Sequence, residues 1–349
     1  MKWRSGCSRG MAVVLMAAMC IAGCSKTGGD ETKTTAAIQT VPESTEEKET
    51  FKIGFSVQNM ESLFPLYLVS GAKHYLDTNN LSEKYELIVM DPGRKADMQL
   101  TQVETMISDN IDVLIINPVD TAGSAPCVDA AVEAGIPVIT VNTFVENQDK
   151  VTAHVGADDT VAGRLQMEAA IKAIGGKGNV AVLHGTLGHS AQVLRWAAYK
   201  EVADKYEGVE IVADQEAKWK TDIAQTITEN WIQSGREIDA IVCNNDNIAI
   251  GAVNAIESSG AHGEIQVVGI DALANAIDLI KKGELYATFD QDAMAQGEWA
   301  VRLAIDLING KTVEDKWIEF TQIDASNVDE FIELAAEREK INSQYTKNQ

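Results

Sequence analysis

The sequence predicts an α/β protein built from doubly wound parallel sheets. From Phe51 onward, short β-branched runs alternate with segments of helical periodicity. Runs such as 113–116 and 180–183 are apolar at every position, which is typical of strands buried on both faces of a parallel sheet. About 300 residues of such units are too many for one sheet. We therefore expect two similar lobes, with the extended stretch 151–157 leading into the second.

Eight predicted strands follow one another at the spacing of βα units. They are 52–57, 86–90, 113–116, 137–141, 179–183, 209–212, 240–243 and 266–269. Between them, residues such as Leu100, Val103 and Ile107 recur on one face of a helix.

Charge and composition exclude several classes of function. The chain has 29 Lys and Arg against 52 Asp and Glu, a formal net charge of −23, and no basic run. Such a chain repels phosphate backbones, so nucleic acid is not an expected partner. Five cysteines in 349 residues cannot form the disulfide scaffold of a small secreted domain. We interpret Cys127 and Cys243 as small buried apolar residues.

The first 50 residues predict an export signal and a tether. Residues 1–23 combine a basic start with an apolar stretch too short to span a membrane, and small residues precede Cys24. This pattern resembles the lipobox of bacterial lipoproteins, which implies that Cys24 is acylated, as with palmitate. An ordinary signal peptide is the alternative. Residues 24–50 lack aromatic side chains and are predicted to be a disordered tether, which places the protein outside the cytoplasm on a lipid anchor at the cell membrane.

Amides and carboxylates gather where the predicted strands end. They are Gln58, Asp91, Asn117, Asn142, Asn245, Asp246, Asp271 and Gln291. Ligands of open parallel sheets bind beyond the carboxyl ends of the strands. Any one of these residues could instead be a helix cap or a turn residue, and Asp91 and Asn117 precede turns. As a set, they suit a ligand rich in hydroxyl groups, because each hydroxyl both donates and accepts.

Aromatic and basic residues complete this candidate site. Phe64 and Trp219 could stack on the apolar face of a sugar ring, although each could also be an ordinary core aromatic. Arg195 lies early in a predicted helix, where its fork of donors suits hydroxyl or ring oxygens. A solvent-facing arginine on an amphipathic helix is the alternative.

Five stretches give the chain a specific resemblance. They are 112–118, 135–139, 243–252, 268–273 and 282–288. In order and spacing they resemble the type I periplasmic solute-binding proteins, in particular the ribose- and galactose-binding branch that serves sugar ABC transporters. This resemblance implies two Rossmann-like lobes joined by a three-stranded hinge. The implied amino-terminal lobe is 51–157 plus 291–320, and the carboxyl-terminal lobe is 158–290 plus 321–345.

The resemblance also implies a set of sugar-contacting residues. They are Phe64, Asn142, His189, Arg195, Trp219, Asn245, Asp271 and Gln291, and the adjacent candidates are Gln58, Ser62 and Asp246. Ser62 and Ala191 stand where galactose binders carry acidic residues. Asn142-Thr143 replaces the Asp-Arg pair of ribose binders, and 175–178 lacks the carboxylates of a calcium loop. These departures leave the identity of the sugar open.

The expected function is capture of a monosaccharide by closure of the two lobes, followed by delivery to a permease and ATPase complex. The ligand would be a hexose such as galactose or glucose, or a related pentose or polyol. We expect a monomer without cofactor or metal. One alternative is a receptor module that signals to a membrane sensor. A more distant alternative is a hydrolase using Ser190, because residues 188–192 approach a nucleophile elbow but end in Gln192 instead of glycine.

Overall fold

Two six-stranded sheets organise residues 50–346, the part of the chain that the structure, a computed structural model, describes. The predicted export signal, Cys24 and all but the last residue of the predicted tether lie outside the described residues. The predicted α/β class with two parallel-sheet lobes is confirmed.

The first sheet is entirely parallel. Its strands are β1 (Phe51–Ser56), β2 (Tyr85–Met90), β3 (Val113–Ile116), β4 (Val138–Val141), β5 (Ala153–Gly156) and β11 (Lys316–Trp317). The spatial order is β11-β5-β4-β3-β1-β2. Strands β3, β4 and β5 are buried at every residue, as their apolar runs require.

The second sheet repeats this plan with one antiparallel edge. Its strands are β6 (Gly178–His184), β7 (Val209–Glu216), β8 (Ala240–Cys243), β9 (Gln266–Val268), β10 (Ala287–Asp290) and β12 (Thr321–Asp324). The order is β12-β10-β9-β8-β6-β7, and β12 runs antiparallel to β10. Cys243 in β8 and Cys127 are fully buried thiols, which confirms their interpretation as core residues.

Helices cover the faces of both sheets. They are α1 (Leu63–Thr78), α2 (Ala96–Ser108), α3 (Ala125–Glu133), α4 (Asp159–Ala173), α5 (Ser190–Ala203), α6 (Thr221–Gln233), α7 (Asp246–Ser259), α8 (Ala274–Lys282), α9 (Ala293–Ile308) and α10 (Val328–Thr346). Among residues 50–346, none of them combines the length and the hydropathy needed to cross a bilayer.

The first change of sheet lies at the end of the stretch 151–157. The stretch 151–157, expected to lead into the second lobe, contains β5, which pairs with β4 inside the first sheet. The chain reaches the helix α4 of the second lobe only after Gly156. The short strand β11 pairs in parallel with β5, so two residues from late in the sequence complete the first sheet.

Helices α1 and α9 cross at backbone contact. A Cβ atom on Gly71 would lie 2.1 Å from the carbonyl oxygen of Met294, and one on Gly297 would lie 1.8 Å from that of Leu68. Only glycine permits this approach. Helix α9 therefore packs under the first sheet although it directly follows β10 of the second.

Helix α10 follows β12 of the second sheet but packs against α1 of the first lobe as well as against α8. Tyr67 donates a hydrogen bond of 2.6 Å to Glu339, and Ser70 donates one of 2.9 Å to Asn342. On the same helix, Arg338 pairs with Asp290 at the end of β10. The last helix thus contacts both lobes rather than the second alone.

Candidate ligand-binding site

A cavity of about 450 Å³, measured with its mouth, lies between the carboxyl ends of the two sheets. It is lined by Gln58, Ser62, Phe64, Pro65, Arg94, Asn142, His189, Ala191, Arg195, Trp219, Asn245, Asn247, Asp271 and Gln291. Ten of the eleven residues predicted from the sequence belong to this lining, and both lobes contribute.

The lobes are closed over this cavity. At its rim, Thr121 Oγ1 donates to the carbonyl oxygen of Gly188 at 3.0 Å, and the amide of Phe144 donates to Ser190 Oγ at 3.1 Å. Thr121 and Phe144 follow strands of the first sheet, whereas Gly188 and Ser190 follow β6 of the second. A ligand in this cavity is therefore held between the lobes.

Arg195 is fixed by a buried ion pair. Its Nε and Nη2 donate to Asp159 Oδ1 at 2.9 and 2.8 Å, and Nη1 donates to the carbonyl oxygen of Asn244. Burial alone would lower the pKa of Arg195, but the Asp159 carboxylate raises it, so the guanidinium stays charged. Helix α4 comes close enough to form this pair because residue 163 is glycine. A Cβ atom on Gly163 would lie only 2.7 Å from the Arg195 carbonyl oxygen.

A chain of side-chain hydrogen bonds crosses the floor of the cavity. Asn142 Nδ2 donates to Gln291 Oε1 at 3.2 Å, and Gln291 Nε2 donates to Asp271 Oδ1 at 2.7 Å. Burial and the nearby Asp246 raise the pKa of Asp271 well above its usual value. The chain of hydrogen bonds thus aligns side chains from both lobes at the cavity.

Asn245 is both a helix cap and a lining residue of the cavity, the two roles that its position in the sequence allows. Its Oδ1 accepts a hydrogen bond of 3.0 Å from the amide of Ile248, which caps the start of α7. The same residue lines the cavity. The cap therefore fixes the side chain and leaves its amide nitrogen as a donor.

Trp219 and His189 form an aromatic corner. Their ring centroids are 5.0 Å apart with the planes at 68°. Trp219 packs so closely on Gly185 that a Cβ there would lie 2.1 Å from the indole. Burial, together with Arg195 and Arg94, lowers the pKa of His189 to about 3, so its imidazole is neutral. Trp219 Nε1 and His189 Nδ1 are buried without a protein partner, which is typical of groups that bind a ligand.

Arg94 is a lining residue that the sequence analysis missed, because 91–93 was interpreted as a turn. Its Nη2 donates to Ser62 Oγ at 2.5 Å, and its buried Nε has no protein partner. Burial lowers the pKa of this guanidinium. A basic residue directly after a Pro-Gly turn at a strand end was the available signal. Pro65 and Asn247 are the other lining residues that carried no prediction.

Four lining residues hold left-handed backbone conformations. The φ angles are 64° at Arg94, 66° at Asn142, 61° at Trp219 and 126° at Asp271. Nine non-glycine residues of the described chain have positive φ, so almost half of them lie at this cavity. Such strain persists where surrounding structure enforces it, and it is concentrated at ligand sites.

Asp246, which was predicted to be a candidate beside Asn245, does not line the cavity. Its Oδ1 accepts from the Thr288 hydroxyl at 2.8 Å and its Oδ2 from the Leu273 amide at 2.9 Å. Burial raises the pKa of Asp246 to about 6. Both carboxylate oxygens serve the protein, so Asp246 supports the Asp271 loop from below.

Comparison with known proteins identifies the family. Residues 53–312 match the periplasmic binding protein domain. A xylitol-binding protein of Mycolicibacterium smegmatis is 31% identical over 295 residues, which cover 84% of this chain and 82% of the relative. The ribose import binding protein RbsB of Bacillus subtilis is 30% identical over 273 residues, which cover 78% and 87%.

The chain belongs to the periplasmic binding protein family. A solved ABC transporter solute-binding protein from Bacillus halodurans with bound myo-inositol has a TM-score of 0.79 and 36% identity, covering 83% of this chain and 99% of the other. The resemblance inferred from the five sequence stretches is confirmed.

As a periplasmic binding protein, the chain is a member of the sugar- and polyol-binding group of ABC transporter solute-binding proteins. Membership implies an extracytoplasmic location and a binding function rather than catalysis, which confirms the prediction that it is not an enzyme. Ser190 is the residue that the hydrolase alternative would use. Its Oγ accepts a hydrogen bond from the Phe144 amide across the rim of the cavity.

Proposed function

We propose that this periplasmic binding protein captures one neutral six-carbon ring polyol, a cyclitol such as myo-inositol or a hexopyranose, and delivers it to an ABC permease and its ATPase. The observation that carries the proposal is the lining of the closed cavity. Side chains of both lobes supply fixed donors and acceptors there, and two aromatic rings lie among them. Only a ligand rich in hydroxyl groups can satisfy so many of these groups in so small a space.

The charged groups of the lining are offset by their neighbours, which supports a neutral ligand. The Arg94 guanidinium lies near the carboxylates of Glu61 and Asp91, which raise its pKa against the effect of burial. Arg195 is already neutralised by Asp159, and the imidazole of His189 is uncharged. Asp271 adds an acceptor beside the amide of Gln291. Planar amide, carboxylate and guanidinium groups can each address two neighbouring hydroxyls, which is the pattern around a ring polyol.

The loop after β4 disfavours ribose. Ribose binders carry Asp-Arg where this chain has Asn142-Thr143. Thr143 is buried, and its hydroxyl is engaged by Asn117 and the carbonyl oxygen of Pro118 instead of the cavity. A charged clamp on a pentose is therefore missing. The bound myo-inositol and the xylitol named for two similar proteins agree with a polyol ligand.

In this proposal the two lobes move as bodies about three crossings. The lobes are 51–157 plus 291–320 and 158–290 plus 321–345, with α10 in contact with both. Ligand contacts that need both lobes stabilise the closed state, because the open state cannot form them. We further propose that Cys24 carries the lipid that anchors a monomeric protein to the outer face of the cell membrane.

Titration calorimetry tests the ligand class directly. Purified protein is titrated with myo-inositol, D-galactose, D-glucose, D-allose, xylitol and D-ribose. We expect one of the six-carbon rings to bind most tightly, and Asp271→Ala to abolish its binding. Thr143→Val, which alters a buried hydroxyl outside the lining, is the matched control. Tightest binding of ribose, or undiminished binding by Asp271→Ala, would refute the proposed ligand class.

Sensing is the second candidate function. A structurally similar protein, the fructose-binding periplasmic domain of a hybrid two-component system, has a TM-score of 0.76 and 26% identity. Both functions use the same closure. Genes for a permease and an ATPase beside the coding sequence support transport, whereas a gene for a membrane sensor kinase there supports signalling.

A further inference from the structure

Two hydrogen bonds join the lobes at the rim of the cavity without using any residue of its lining. Thr121 Oγ1 donates to Gly188 O at 3.0 Å, and Phe144 N donates to Ser190 Oγ at 3.1 Å. Neither Thr121 nor Ser190 lines the cavity, although His189 and Ala191 on either side of Ser190 do. These two bonds therefore depend on closure and not on the chemistry of the ligand.

The first-lobe side of these contacts is rigid. The ring of Phe144 lies 4.4 Å from the imidazole of His154 in β5, and that imidazole lies 5.2 Å from the indole of Trp317 in β11. The carbonyl oxygen of Thr121 accepts a hydrogen bond of 2.8 Å from the amide of Glu146. The Phe144 amide and the Thr121 hydroxyl are thus held at fixed positions on the first lobe.

On the second lobe, the start of α5 and the loop before it hold the partners of these two hydrogen bonds. Ser190 is the first residue of α5 and is 8% exposed, and Gly188 adopts a left-handed φ of 84°. The Gly188 amide lies 3.4 Å from Gln192 Oε1, one turn into the helix. Only glycine takes up this φ without strain, so the loop turns its 188 carbonyl toward the opposite lobe at no steric cost.

We propose that Thr121 and Ser190 form a latch that sets the stability of the closed state. The latch rests on the proposed function, since it acts on the closure that captures the ligand. Opening about the hinge separates the carboxyl ends of the two sheets and breaks both bonds. Because they exist only in the closed state, they shift the equilibrium between open and closed forms by their full net free energy.

Loss of the Ser190 hydroxyl destabilises the closed state more than the open state. In the closed state of Ser190→Ala, the Phe144 amide has no acceptor, whereas water satisfies it in the open state. A net hydrogen bond changes an equilibrium by about twofold to tenfold. We expect Ser190→Ala and Thr121→Ala each to weaken polyol binding by about that factor. The change should be a faster dissociation rate with an unchanged association rate, because the ligand enters the open form.

The experiment measures binding and closure separately. Stopped-flow kinetics with myo-inositol, D-galactose, D-ribose or xylitol, whichever binds, gives the rates for wild type, both single variants and the double variant. Ser190→Thr keeps the hydroxyl and should restore the wild-type dissociation rate. Thr101→Ala is the matched control, because the Thr101 hydroxyl bonds only to the Asp97 carbonyl of its own helix.

Hydrogen–deuterium exchange of the ligand-free proteins follows the peptides that contain Phe144 and Gly188. We expect faster exchange there in the double variant, with an unchanged midpoint of thermal unfolding. Equal exchange and equal dissociation rates in wild type and double variant overturn the latch. If wild type binds none of the polyols, the proposed function fails, and the exchange of the ligand-free protein alone then decides for or against the latch.

Discussion

The Arg195–Asp159 pair offers a substitution that can separate folding from binding. Arg195 is 2% exposed, and its guanidinium makes two contacts with Asp159 Oδ1 within 2.9 Å. Arg195→Met removes the positive charge and leaves the Asp159 carboxylate buried without a counter-ion. Breaking a buried pair in this way costs about 3–5 kcal/mol of folding free energy.

The expected size of the effect is large enough to measure. One kcal/mol changes the melting temperature of a unit of 150–250 residues by about 2–4 °C, so Arg195→Met should lower it by about 6–20 °C. Hydrogen bonds from a charged donor contribute about 1.5–3 kcal/mol, which corresponds to a loss of polyol affinity of about tenfold to over a hundredfold.

A second substitution distinguishes the two effects. In Asp159→Asn/Arg195→Met, no unpaired charge remains buried, so urea unfolding at pH 7 should show most of the lost stability restored. Calorimetry with the tightest-binding polyol should show that affinity is not restored. If Arg195→Met alone lowers the unfolding free energy by less than about 1 kcal/mol, the Arg195–Asp159 pair does not stabilise the fold as inferred. A double variant with wild-type affinity would show that the guanidinium does not contact the ligand.

Three further outcomes are expected. Polyol affinity should rise as the pH rises through the pKa of Asp271, which burial holds well above its ordinary value, because the ionised carboxylate is the stronger acceptor for ligand hydroxyls, and calorimetry of Asp271→Asn should show no such rise. The pKa of the Asp246 carboxyl is about 6 in the fold, above its ordinary value of 3.8, so its contribution to the unfolding free energy should fall by about 2 kcal/mol as the pH rises from 3.8 to 6. Urea titrations of Asp246→Asn across that pH range should lack this fall. If the unfolding free energy of the variant depends on pH as steeply as that of the wild type, the raised pKa of Asp246 is contradicted. Gly297→Ala should destabilise the fold by about 1–3 kcal/mol in urea, because its Cβ would lie 1.8 Å from the Leu68 carbonyl oxygen, and wild-type stability would exclude the close crossing of α1 and α9.

The fold class was predictable because a strand buried in a parallel sheet has apolar residues at every position, and this pattern is visible in the local sequence. The apolar runs of β3 and β8 are continuous, so their positions were found to the residue. Strand β11 has two residues and no periodicity, and only its pairing with β5 makes it a strand. The packing of α10 on both lobes is likewise a property of tertiary contact.

Most of the lining was predictable because parallel strands end at one edge and place consecutive loops together. Asn245 and Asp246 show the limit of this reasoning. They are adjacent at the start of α7, but one lines the cavity and the other is held by Thr288 and Leu273 from later in the chain. Arg94 was missed because 91–93 was interpreted as a turn, and the left-handed backbone at Arg94 directly after that turn brings its side chain into the site.

The order of the segments has a consequence for how the protein matures. The first sheet lacks β11, and its lower face lacks α9, until residues 293–317 have emerged after nearly the whole second lobe. A chain exported in sequence order therefore cannot complete its amino-terminal lobe early. Long-range contacts of this kind slow folding. The first lobe can therefore bury its full core only after residues 293–317 have been synthesised, when most of the second lobe is already available to fold.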